Sequence, residues 1–158
     1  MEMLIYLAIL ALMLWVIANI LNSMIQTERV ASSSRVVENA AIFGLERIVR
    51  ETRDATSVGA SSVLDLNPGV LVLSGTDING GAKTIEFFIS LGALHIKENG
   101  VDKGALTESK AIVTDLVFSV LSNPNSKSVK TVMTVESGTS TTYKKETFYS
   151  TTILRGSL

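Results

Sequence analysis

The sequence contains no cysteine and only one histidine. Without thiols there is no disulfide framework, no thiolate metal site and no cysteine nucleophile. A single imidazole cannot build a histidine metal cage within one chain. Charge of one sign is also missing: 14 basic residues face 15 acidic ones, which suggests neither a broadly basic nucleic-acid binder nor an acidic tail protein. Charged residues make up only 18% of the chain and its mean hydropathy is +0.36, values too apolar for a disordered segment. Proline is nearly absent, at positions 68 and 124 alone, and before Pro68 the only glycines are Gly44 and Gly59. At 158 residues the chain has about the length of one domain.

What is present is distributed unevenly. From Met3 to Leu21 nineteen residues run MLIYLAILALMLWVIANIL, with Asn19 the only polar one. As a helix this stretch spans roughly 28 Å, close to the hydrocarbon thickness of a bilayer. A buried core helix normally keeps a polar stripe, and a signal peptide has a shorter apolar region ending in a small-residue cleavage site. Neither feature is found here, so a membrane-resident helix is expected. Its orientation is contested by the flanks. Only Met1 and Glu2 precede the run, while Arg29 and Arg35 follow it, which read literally places the remainder in the cytoplasm. A basic leader upstream of Met1 reverses that reading.

Interior proline costs a helix about 3 kcal/mol and glycine about 1, so the scarcity of both predicts helix well beyond the apolar run. Val37, Ala41, Leu45, Ile48, Thr52 and Ala55 recur at three- and four-residue steps and are expected to line one face for packing on a sheet. Glu46 with Arg50, and Arg47 with Glu51, are spaced as ion pairs on the wet side. Ser32, Ser33 and Ser34 interrupt any coiled-coil heptad. One helix from about Met3 to Ala55 follows, apolar all round in its first half and on one side in its second.

The composition then changes. Every lysine lies beyond residue 82, five of the six arginines lie before residue 54, and both prolines and most glycines fall after Val58. Strands are predicted at Val70–Ser74, Thr84–Ser90, Ala93–Lys97, Ile112–Leu121, Val129–Val135 and about Tyr143–Leu154. Turns are expected at 75–81, Leu91-Gly92, Asn99-Gly100, 122–125 and 138–140. The expected fold class is α+β: a long N-terminal helix packed on a C-terminal antiparallel β-meander of five or six strands. The expected division is a membrane or filament-core segment at 1–22, an amphipathic continuation at 23–55 and a β domain outside the cell at 56–158. Between Ser126 and Thr152, thirteen of twenty-seven residues are Ser or Thr, which suits a solvated, adhesive surface.

Chemistry finds little support. The run from Asp77 to Thr84 falls short of a phosphate-binding loop, which needs glycines where Asp77 and Ala82 stand and a helix to follow. It also lacks the glycine and closing glutamate of a calcium loop. His95 is expected on the open face of a strand. Glu108, Asp115 and Glu136 share no motif, and Arg35, Arg47, Arg50 and Arg53 are interleaved with acids. No catalytic, cofactor or metal residues are assigned, and no enzyme activity is expected. Glu2 stands apart: at the lip of a lipid-length helix it either rests at the interface or needs a counter-charge.

The segment Glu2-Met3-Leu4-Ile5-Tyr6-Leu7-Ala8-Ile9-Leu10 resembles the N-terminal region of type IV pilins and type II secretion pseudopilins, with Glu2 where that family has its glutamate. Phe43-Gly44-Leu45-Glu46-Arg47-Ile48-Val49-Arg50-Glu51-Thr52-Arg53-Asp54-Ala55 is similar to a stretch of the PilW-like minor pilins and J-type minor pseudopilins. Leu94–Gly100 and Ile112–Leu121 match the same group loosely. The family's leader and its glycine do not stand before Glu2. An internal start, a fragment, or a chain that prepilin peptidase never meets each accounts for that.

The resemblance implies a single-pass protein of the inner or cytoplasmic membrane, with its C-terminal domain outside the cytoplasm, drawn into a filament. Its implied partners are other pilin or pseudopilin subunits, the assembly platform, and prepilin peptidase if a leader was present. Nucleic acid enters only through a DNA-uptake filament. Glu2 would pair with the methylated N-terminal amine of a neighbour, Tyr6, Ala8 and Ala11 would pack between helices, and a minor subunit would prime assembly near the tip. The competing expectation is a monomeric, signal-anchored surface protein that binds a ligand through its Ser/Thr-rich β domain.

Overall fold

The computed structural model describes residues 2–77, 80–123 and 126–155. One helix, α1 (Glu2–Asp54), takes 53 residues without a break, about 80 Å of helix. It is followed by β1 (Ala55–Val58), β2 (Leu71–Thr76), β3 (Ala82–Ser90), β4 (Ala93–Glu98) and β5 (Val101–Ala105). After these come β6 (Ile112–Asn123), β7 (Ser126–Ser137), a short 3-10 turn (Ser140–Thr142) and β8 (Lys144–Ile153). The class is the expected α+β arrangement of a long N-terminal helix on antiparallel sheet. Among the described residues the strands number eight and form two meanders, a five-stranded sheet ordered β1 to β5 and a three-stranded sheet ordered β6 to β8.

The tight turns follow from their residues. Leu91-Gly92 joins β3 to β4 and Asn99-Gly100 joins β4 to β5, with φ of 50° and 75° in the first turn and 50° and 81° in the second. Paired positive φ values define the two-residue turn whose twist matches that of the flanking strands. Ile78, Asn79, Pro124 and Asn125, expected in turns, lie outside the described residues, as does Met1.

The helix and both sheets share one core. Ile48, Phe87, Leu94, Leu116, Phe118 and Met133 are among its fully enclosed side chains. Gly44 marks the closest approach: a Cβ there would stand 2.9 Å from Leu94 Cδ2 and 3.4 Å from Met133 Cε. The helix can touch both sheets at this level because that position carries no side chain. Residues 59–70 form a strap between the sheets. Val63 bridges Val70, while the Asp65 and Gly69 amides donate to the Phe118 and Leu116 carbonyls of β6. The Leu116 amide in turn donates to Asn67 Oδ1.

Candidate assembly interface

Two different surfaces share the one helix. Of the six positions expected to face the sheets, Val37, Ala41, Ile48 and Thr52 are buried there and Leu45 is half-buried against the core. Ala55 is buried as well, but as the first residue of β1, since the helix ends one residue earlier. The periodicity missed Ala40, Gly44 and Glu51, which are also buried. They complete a stripe recurring about every 3.5 residues, the narrow form a straight helix takes between two sheets. A glycine within an otherwise unbroken helix was the signal available for Gly44.

Glu51 corrects one expectation. It does not pair with Arg47 on the wet side; both point into the seam between α1 and the five-stranded sheet. Glu51 is 7% exposed, with Oε1 at 2.9 Å from Arg47 Nη2 and Oε2 at 3.0 Å from Lys83 Nζ of β3. Arg47 Nη2 also lies 3.0 Å from Glu98 Oε1 of β4. The network fixes the rotation of α1 against the sheet. Glu46 and Arg50, the other expected pair, form no ion pair with each other.

Toward the N-terminus this packing stops. From Glu2 to Ser32 every described residue is exposed. Within this region lies an 18-residue window with a mean hydropathy of 2.6 and none of its residues buried. The helix is long and apolar enough to cross a membrane, and its apolar surface is used nowhere within the fold. Asn19, the polar exception, donates its amide to the Trp15 carbonyl one turn back at 3.1 Å. That bond satisfies part of its polarity inside the helix. Thr27 and Ser33 bond back to Ser23 and Arg29 in the same way.

Glu2, Tyr6, Ala8 and Ala11 all lie on this exposed helix, but not on one face of it. At about 100° per residue, Glu2 and Tyr6 are one turn apart on one side, whereas Ala8 and Ala11 fall roughly opposite. Together they mark two faces of one rod.

Elsewhere the polar groups are engaged structurally. His95 sits with a half-buried side chain, its ring 5.5 Å from that of Phe88 and Nδ1 3.2 Å from Asp102 Oδ2. Lys97 Nζ lies 4.2 Å above the Phe88 ring. The Asp102 carboxyl is held below its ordinary pKa, chiefly by the Gly104 amide and secondarily by His95. The Tyr143 hydroxyl donates to Glu136 Oε2 at 2.8 Å, which raises its pKa. Asp115 accepts from Asn67 Nδ2 and Thr114 Oγ1. Among the described residues no three of His, Asp or Glu gather as a metal site. No protein-family model matches the chain, and neither a curated protein nor a solved structure matches it.

Proposed function

We propose that the protein is a structural subunit of a type IV pilus-like filament, of the minor pilin or pseudopilin kind, assembled through its N-terminal helix. The observation that carries the reading is the division of α1. Residues 2–32 are wholly exposed and largely apolar, while residues 37–52 are locked into a β domain by a shared core and a buried ion network. A rod of this kind needs lipid or other rods around it, and its rigid junction transmits the position of one to the other.

In this reading the subunit waits in the inner or cytoplasmic membrane with its β domain outside the cytoplasm. Assembly exchanges lipid contacts for helix–helix contacts. Ala8 and Ala11 allow close backbone approach on one face and Tyr6 packs on the other. Glu2 meets the N-terminal amine of a neighbour, a pairing strengthened by the dry interior between helices. The place of a minor subunit is near the tip, priming assembly with other subunits.

The test compares wild type with Glu2→Ala in the native membrane. The variant should keep a folded β domain and its membrane location yet fail to enter filaments sheared from the cells. Filament entry at wild-type level would overturn the role given to Glu2. Intact mass and N-terminal sequencing of the native protein supply a second measurement. A processed start a few residues upstream of Glu2, methylated on its amine, supports a filament subunit, whereas an unprocessed Met1 or a retained long basic leader favours a monomeric anchored surface protein.

A further inference from the structure

Two sheets have four outer edges, and three of these edges are blunted. β1 has only four residues and a register irregularity between Ala55 and Ser57. β5 has five, with Asp102, Lys103 and Gly104 among them and an irregularity opposite Ile96 and Lys97. β6 is capped by the strap through the Asp65 and Gly69 amides. Short strands, charges, bulges and covering loops are the devices that keep sheet edges from pairing with other chains. β8 carries charges only at its start, Lys144, Lys145 and Glu146; from Thr147 to Ile153 it is uncharged and free of bulges. It runs ten residues in unbroken register with β7, and no described strand pairs with its other side.

Beside that open edge lies an apolar groove of about 560 Å³, floored by Ile42, Leu45 and Val49 of α1 and walled by Tyr149. We propose that β8 is the docking site for an extended strand of a different protein, added antiparallel to it. The edge supplies unpaired backbone donors and acceptors, which only an extended backbone can match along its length. The groove takes every second side chain of the incoming strand, and these must be apolar. Its rim carries two arginines, Arg50 and Arg53, and two acids, Glu46 and Asp54. The signs balance, so an uncharged strand that alternates apolar and hydroxyl residues fits it.

Direction opposes antiparallel pairing with a second copy. β8 starts near the helix residues around Ser33, where Ser137 to Thr139 lie, and the chain beyond it reaches Arg155 beside Glu51 and Asp54. β8 therefore runs the same way as α1. Pairing two β8 edges antiparallel would set the two helices head to tail, which chains held by those helices in one membrane cannot adopt. The remaining edges of a second copy are the blunted ones. The exclusion of a second copy rests on the membrane-held helix of the proposed function; the docking edge itself does not depend on filament assembly.

The test is hydrogen–deuterium exchange of the full chain in detergent micelles, with and without a synthetic eight-residue peptide alternating valine and threonine. At about 1 mM peptide, exchange across residues 144–153 should slow by about tenfold or more, while β5 remains unchanged. The same peptide N-methylated at alternate residues should have no effect. Ile42→Asp should weaken binding by about tenfold or more; Ile42 is half-exposed, and an unchanged urea midpoint verifies the fold of the variant. No slowing at that concentration, or equal slowing of β5, overturns the proposal. Slowing of β8 that grows with the concentration of the chain alone assigns the edge to a second copy and overturns it too.

Discussion

Thr52 gives the sharpest test of how the helix docks. It lies in the last turn of α1 with no exposed surface, and its Oγ1 is enclosed without a hydrogen-bond partner. A buried hydroxyl left unpaired costs about 1–3 kcal/mol. Thr52→Val keeps the branched shape and removes that cost, and the two residues have nearly equal helix propensity. The variant should therefore be more stable than wild type by about 1–2 kcal/mol. Thr52→Ser keeps the hydroxyl and loses a methyl, and should be less stable by about 1 kcal/mol. Thr52→Ala loses both groups and should fall between them. Urea unfolding of the full chain in micelles, followed by the β-sheet circular dichroism signal, resolves the order. With a slope of about 2 kcal/mol per molar, the valine variant should shift the midpoint upward by about 0.5–1 M. A valine variant that is neutral or destabilised would refute the reasoning, because it would mean that the hydroxyl makes a bond worth keeping.

Two further outcomes follow from the polar groups around the core. Glu51→Gln should destabilise the β domain by about 2 kcal/mol, since it leaves Arg47 and Lys83 facing a neutral group at a nearly enclosed position; the partners' partial exposure keeps this below the cost of a fully buried break. Lys83→Met should cost under about 1 kcal/mol, and the ratio of the two urea midpoint shifts checks the asymmetry. Asp102, with its pKa lowered chiefly by the Gly104 amide, stabilises the fold above the ordinary aspartate pKa. That contribution is lost as pH falls through the lower folded value. Asp102→Asn should therefore flatten the acid side of the stability profile below about pH 4 and leave its shape at neutral pH unchanged, as measured by urea midpoints across pH.

Much of the fold was legible because it follows from local rules. A chain without proline up to position 68, and with a single glycine before Gly59, has few ways to stop a helix, and α1 ends within a residue of the expected place. Leu91-Gly92 and Asn99-Gly100 specify their turns because paired positive φ values are costly for most residue pairs. β1 and β5 were missed for a related reason. Thr56 and Ser57 offer no apolar alternation, and Asp102-Lys103-Gly104 reads as a loop. Both strands exist because a neighbouring strand lends them hydrogen bonds. The division into two sheets at residues 106–111 is a tertiary event. Its determinants, the Thr107 hydroxyl accepting from the Leu94 amide and the strap sealing β6, join residues far apart in sequence.

The candidate interface shows the same boundary from the other side. An unbroken apolar run declares that a helix wants an apolar surround, and the structure leaves that demand unmet from Glu2 to Ser32. Apolarity alone does not encode which face meets which neighbour; only the residues that break its uniformity, Glu2, Tyr6, Ala8 and Ala11, distinguish the sides of the run. The docked half is different, since its faces are sorted by what the sheets require: a glycine where Leu94 and Met133 press closest, and a carboxylate where Lys83 reaches across. The sorting of side chains by contacts within the fold therefore belongs to the β domain and its seam with α1. Under the two proposals made above, the exposed half of the helix supplies affinity for an apolar surround, and selection among partners falls to surfaces such as the β8 edge, where direction and alternation can be matched.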